Sequence, residues 1–112
     1  MFSPPKNMLV DDFTYRKYEG VDRNHIPAYG EKTDIEYVRI DRSTVYTRDG
    51  SEATKRADAT IYCYGAHTEP FPAFVTQSKV SFDDEDYTIT DVRSFTEPFS
   101  GTITAYELEV IR

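Results

Sequence analysis

The amino-acid sequence predicts an all-β fold, a small antiparallel β-barrel of about six strands with long loops. Short segments rich in β-branched and aromatic residues recur along the chain, separated by Gly, Pro and Asp. No window of about 11 residues keeps the 3.6-residue apolar periodicity of an amphipathic helix. A chain of 112 residues is long enough for one domain with one core. We expect an N-terminal arm over residues 1–10 and the barrel over residues 11–112.

Six segments have the composition of strands. The clearest is 34–46, which contains neither Gly nor Pro and is expected to bend near Ser43. The acidic run 83–86 reads as a hairpin turn. The predicted strands are residues 13–18, 34–46, 57–64, 79–82, 87–93 and 101–111.

Alternation along the third and last strands indicates which side chains face the core. Tyr64 is expected to point outward or toward a partner, and Glu107 and Glu109 to lie on a solvated face. In the arm, Met8, Leu9 and Val10 are apolar and are expected to anchor it on a neighbour or on its own barrel. The predicted core positions are Ala57, Ala59, Ile61, Cys63, Tyr106, Leu108 and Val110.

The net charge is −7, from 13 basic and 20 acidic residues. Residues 57–112 contain three basic and ten acidic residues, which accounts for all of it. Nucleic-acid binding relies on Lys and Arg at phosphates, so the composition does not favour a dedicated DNA-binding protein. Two interpretations of the acidic charge are open. It either keeps the protein soluble, or it forms a surface that avoids holding DNA or binds a basic partner.

No sequence motif indicates catalysis or a cofactor. Cys63 and His67 could form half of a metal site, but no second pair completes it, and the 83–86 acids lack the spacing of a calcium loop. Phosphate loops, nucleophile elbows and dinucleotide fingerprints are absent from the sequence. The single cysteine cannot form an internal disulfide, and no apolar run approaches 18 residues, so we expect no membrane partner. We predict a non-enzyme without cofactor or metal.

Loops and aromatics are the informative features. The segments 19–33, 47–56 and 65–78 are long for a small domain. The last of them places Phe71, Phe74 and Val75 among prolines. These side chains either form an exposed contact for a partner or fold back and cap the barrel.

Four strand segments resemble those of the minor capsid proteins encoded in the head–tail gene cluster of tailed phages and prophages of Gram-positive bacteria. The resemblance covers about Pro5 to Arg112, and the family is similar in size and layout to the head-completion, or stopper, proteins. The segments are VRID at 38–41, ATIYCY at 59–64, VSFDDEDYTIT at 80–90 and YELEVI at 106–111.

The resemblance implies a structural subunit that forms a homo-oligomeric ring at the head–tail joint of the virion, assembled in the bacterial cytoplasm. Its implied partners are sister copies, portal or adaptor proteins, tail proteins, and DNA that passes without sequence-specific binding. It also implies a loop that points into the lumen of the ring. The matching residues are Arg48, Asp49, Gly50, Glu52 and Lys55.

A second interpretation remains open. A small β-barrel binding module could recognise carbohydrate or another tail protein through Phe71, Phe74 and neighbouring tyrosines. Gene neighbourhood would separate the two, since portal, capsid and tail-tube genes nearby favour the connector.

Overall fold

The structure, a computed structural model, describes residues 5–50 and 52–112. The first four residues of the predicted arm, Ser51 and the side chain of Asp49 lie outside this description. One 3₁₀ turn, Lys6–Met8, precedes ten strands. These are β1 (Asp11–Arg16), β2 (Tyr18–Val21), β3 (Pro27–Tyr29), β4 (Thr33–Asp41), β5 (Val45–Asp49), β6 (Glu52–Ala57), β7 (Ala59–Tyr64), β8 (Lys79–Phe82), β9 (Glu85–Thr96) and β10 (Ile103–Ile111).

Six of the strands form a closed barrel in the order β1-β4-β7-β10-β9-β8, which confirms the predicted fold class. Every neighbouring pair is antiparallel. The other four strands form two separate ribbons, β2–β3 and β5–β6. The described residues contain no helix long and apolar enough to cross a membrane.

The two ribbons leave from opposite ends of the barrel. The β5–β6 ribbon joins the end of β4 to the start of β7, and the β2–β3 ribbon joins the end of β1 to the start of β4. We call the two ends of the barrel the β5–β6 end and the β2–β3 end. Because β8 runs between them, Lys79 lies at the β2–β3 end and Phe82 at the β5–β6 end.

The barrel interior is filled by apolar side chains from alternate strand positions, as the pleat of a strand requires. All seven predicted core positions, which lie at the end of β6 and in β7 and β10, are buried, which confirms the alternation. The interior cluster also takes in Phe13, Tyr15, Ile35, Val38, Ile40, Phe74, Val80, Phe82, Tyr87 and Ile89.

Two predicted connections are β-ribbons rather than loops. The expectation of one strand over 34–46 is wrong, because β4 ends at Asp41 and β5 begins at Val45 in a separate sheet, so the chain breaks near Ser43 where a bend was expected. The polar segment 47–56 then pairs with itself around Gly50, whose φ of +65° suits glycine. Neither ribbon has one continuous buried face, so neither has the apolar alternation that marks a strand in a sequence.

The N-terminal arm anchors on its own barrel. Leu9 is buried outside the barrel wall in a small cluster with Tyr64 and Ala105. Met8 and Val10 on either side of Leu9 stay exposed. Tyr64 thus faces outward, as expected, but it is buried, because the arm covers it.

The expectation of a solvated Glu109 is also wrong. Glu109 points outward from β10, yet only 5% of it is exposed. The guanidinium of Arg56, at the base of the β5–β6 ribbon, covers its carboxylate, and Arg56 Nε donates to Oε1 at 2.8 Å and to Oε2 at 3.1 Å. This ion pair ties the ribbon to the barrel.

Candidate interaction surfaces

The β5–β6 ribbon contains all the residues predicted for the lumen loop. Arg48, Gly50, Glu52 and Lys55 lie on it and are exposed, and Asp49 pairs with Glu52 through the backbone at its tip. Every described side chain from Tyr46 to Arg48 and from Glu52 to Arg56 is exposed, so both faces of the ribbon are open to solvent. Where this ribbon points in an assembly stays a prediction.

Phe74 is part of the core, so the prediction that it is exposed for a partner is wrong. It is 5% exposed and packs edge-on against Tyr15 and Tyr106, with ring centroids 5.1 and 5.2 Å away. Phe71 packs on Tyr106 at 5.3 Å and is half-buried, as is Val75. The segment folds back and caps the barrel, which is the alternative that the sequence left open. A partner contact through Phe71 and Val75 stays a prediction.

The most exposed large apolar side chain in the described residues is Phe99, which sequence reasoning missed. It is 98% exposed at the tip of the β9–β10 hairpin. The tip is held by backbone bonds from Gly101 N to Glu97 O at 3.0 Å and from Glu97 N to Thr102 O at 2.8 Å. A Phe between proline and serine in a turn is the local signal that could have identified it.

The β5–β6 end of the barrel is acidic. Arg42 spans it, with Nε 2.6 Å from Asp83 Oδ2 and a terminal nitrogen 3.2 Å from Asp11 Oδ1. Hydrogen bonding to Arg42 lowers the pKa of Asp83 and raises that of Arg42. The same groups line a depression of about 240 Å³ that continues along the barrel wall past Asp12 to Asp34, near the start of β4.

A cationic group lies at the β2–β3 end, where sequence reasoning expected only a loop. Arg16 and Lys79 are directly opposite each other across β1 and β8. The ring of Tyr29 lies against both cations, with its centroid 5.5 Å from the Arg16 guanidinium and 6.0 Å from Lys79 Nζ. Lys32 joins them around a depression of about 260 Å³, which we call the cationic depression. Ser81 and Asp86 also line it.

The residues considered for a metal site do not form one. Cys63 is fully buried, and desolvation raises the pKa of its thiol. No group of three or more His, Cys, Asp or Glu residues within the described ranges could hold a metal ion. Cys63 therefore acts as a small apolar core residue.

A family model identifies the family of the chain, and a second comparison finds a relative from a phage. A model of the family described as minor capsid protein matches residues 5–110. The protein ORF5 of Lactococcus phage LL-H is 28% identical over 81 residues, which span 70% of this chain and 69% of that protein. The family is structural and not enzymatic, which agrees with the prediction of a non-enzyme. The chain thus belongs to the phage minor capsid protein family and is a virion component.

Proposed function

We propose that the chain is a head–tail connector subunit of the head-completion or stopper type, and that its copies form a ring at the joint between head and tail. Its partners are sister copies, portal or adaptor proteins on one side and tail proteins on the other. DNA passes through the ring without sequence-specific binding.

The observation that supports this role most strongly is the β5–β6 ribbon. It extends from one end of a closed barrel, and both of its faces are exposed between Tyr46 and Arg56 in the described residues. A two-stranded ribbon with no buried face is marginally stable in water by itself. Such a ribbon is stabilised when copies meet, as they would around the lumen of a ring.

The base of the ribbon is built to hold its direction. Arg56 pairs with Glu109 of β10, and Lys55 Nζ lies 3.1 Å from Asp58 Oδ1. Ala57, at the end of β6, is fully buried. The ribbon therefore has a fixed root and an exposed tip, which suits an element that reaches into a channel.

The charge of the β5–β6 ribbon suits contact with DNA that must also move. Arg48 and Lys55 are balanced in part by Glu52, so the ribbon has no strong cationic patch. Affinity for DNA rises with the number of phosphates that Lys and Arg neutralise. A mixed ribbon would restrain DNA weakly at each subunit.

Reconstruction of the neck from images of the phage particle tests this proposal. We expect a ring of six-stranded barrels between head and tail with the β5–β6 ribbon on the inner side. Barrels located on the capsid shell or at the tail tip would refute it. A ring with the ribbon on its outer rim would refute the lumen role alone.

Shortening the ribbon tests its role directly. Replacing residues 48–53 with a two-residue turn should leave particles that assemble but lose packaged DNA. The matched control shortens the tip of the other ribbon, residues 22–25, and should retain DNA. Equal DNA retention by both variants would contradict the proposal.

The second candidate function, a module that binds another tail protein, is favoured by Phe99. A side chain that is 98% exposed on a hydrogen-bonded hairpin tip has the properties of an interface anchor. Replacing Phe99 with serine should then remove tail attachment and leave the ring in place on the head. Loss of the ring itself would favour a role for Phe99 between copies.

A further inference from the structure

The three cations of the cationic depression form no ion pair within the described part of the chain, although Asp86 lies on its wall. Arg16 and Lys79 face each other across β1 and β8, and like charges in this arrangement destabilise a sheet. Neither they nor Lys32 forms an ion pair with any described residue. Lys79 Nζ donates to Thr88 Oγ1 at 2.8 Å and retains further donors. An anion bound here would offset the repulsion.

A carboxylate suits this depression better than the phosphates of a nucleic acid. A nucleic acid would bring a row of phosphates against a chain with a net charge of −7, and this causes repulsion, whereas only one side-chain carboxylate of another protein has to enter the depression. Asp86 on the wall of the depression adds to that repulsion. A single protruding carboxylate would interact mainly with the three nearby cations and would be attracted into the depression.

The chain presents such a carboxylate at the opposite end of the same strand. Asp83 and Asp84 form the two-residue turn between β8 and β9, with φ values of 53° and 61°. Positive φ at both central residues is typical of the type I′ turn, whose backbone twist matches the twist of the two strands that it joins. Arg42 holds Asp83 through two hydrogen bonds of 2.6 and 3.2 Å, so the position of the turn is fixed. Asp84 is exposed and has no ion pair among the described residues.

Asp84 cannot reach the depression of its own copy. Lys79 and Phe82 are at the two ends of β8, on the order of 10 Å apart at 3.3 Å per residue, and the turn lies beyond Phe82. A contact between the turn and the depression therefore needs two copies. Because the two surfaces are unlike, the contact is head-to-tail, which closes into a ring when the rotation between copies allows it.

We propose that Asp84 of one copy docks in the cationic depression formed by Arg16, Lys32 and Lys79 of the next copy. The inference rests on the proposed ring and names one of its contacts. The β5–β6 end of each barrel then meets the β2–β3 end of its neighbour.

Zero-length carbodiimide cross-linking of intact particles tests the contact with the native chain. The reagent joins an ammonium to a carboxylate that touches it. We expect a cross-linked peptide pair that joins Asp84 to Lys79 or Lys32, and a ladder of oligomers on a denaturing gel. Asp84→Asn should remove the ladder, whereas Asp91→Asn, which changes an exposed acid elsewhere on β9, should retain it.

Two outcomes would overturn the inference. One is a neck reconstruction that shows the ring while cross-linking joins other residues, which leaves the proposed function intact. The other is binding of short duplex DNA by the purified chain at low salt that Lys79→Glu abolishes, which would assign the depression to phosphate. A supporting result is a drop of about tenfold or more in incorporation of Lys79→Glu chains into particles that also contain wild-type copies, since like charges at an interface are strongly unfavourable.

Discussion

Replacing Ser78 with alanine should destabilise the barrel, because this fully buried hydroxyl joins three segments of the β2–β3 end. Ser78 Oγ accepts the backbone N–H of Tyr18 at 2.9 Å, where β2 begins. It also lies 3.3 Å from the hydroxyl of Tyr15 in β1. Tyr15 in turn accepts the N–H of Val75 at 3.3 Å. The network fixes the strands that form the cationic depression.

The expected loss follows from the groups left without partners. A part-buried N–H that loses its acceptor costs about 1–2 kcal/mol, and we assign this to Tyr18. The Tyr15 hydroxyl loses a long hydrogen bond and keeps the one from Val75, so its share is smaller. The total is about 2 kcal/mol of unfolding free energy. For a chain of this size this lowers the Tm by about 8 °C.

Urea unfolding measures the loss as a lower midpoint with an unchanged slope. Ser94→Ala, which changes an exposed serine in β9, is the matched control and should shift the free energy by less than about 0.5 kcal/mol. Tyr15→Phe should destabilise too, and the double variant should lose less than the sum, because the two groups share one network. A Ser78→Ala loss below about 0.5 kcal/mol, or full additivity, would refute the reasoning.

Three further predictions concern single side chains. Burial raises the pKa of the Cys63 thiol, so the native protein should not react with a thiol reagent, whereas protein unfolded in urea should; fast native labelling would contradict the packing. The backbone N–H of Arg112 donates to Asp58 and lowers the pKa of its carboxyl from the ordinary value of 3.8. The ionised carboxylate therefore stabilises the fold above pH 3.8, and this contribution is lost as the pH falls through the lowered pKa of the folded state. Asp58→Asn should accordingly reduce the acid sensitivity of the urea midpoint, and an unchanged pH profile would count against this. Phe99→Ser should change the free energy of unfolding by less than about 0.5 kcal/mol, whereas Phe74→Ala should lower it by about 3–5 kcal/mol in the same assay. Equal losses would contradict the placement of Phe99 in solvent and of Phe74 in the core.

The residues predicted for a partner contact show where local sequence is ambiguous. Phe71 and Phe74 belong to one proline-containing segment, Phe71 between Pro70 and Pro72 and Phe74 two residues after Pro72, yet Phe74 is buried and Phe71 is half-buried. Phe99 also follows a proline and is almost fully exposed. Burial of a loop aromatic depends on which segments arrive above it, and a local pattern does not contain that information.

The amino-acid sequence by itself determined the all-β class, the strands of the barrel wall and the core positions of β7 and β10. A strand with one buried face must alternate apolar and polar residues, so burial leaves a periodic pattern in the chain. The residues predicted for the lumen loop lie together on the β5–β6 ribbon, because they are neighbours in sequence.

The tertiary structure decided which polar residues face each other. Strand pairing places Arg16 opposite Lys79, 63 positions away, and a side-chain contact joins Arg56 to Glu109, 53 positions away. The local sequence does not indicate such a register. Polar side chains on the outer face of the barrel add little stability in any one strand pairing, so no periodic pattern of residues marks which positions are opposite each other. The closed barrel thus created the cationic depression, the buried Glu109 and the two free ribbons, since each depends on how distant strands align.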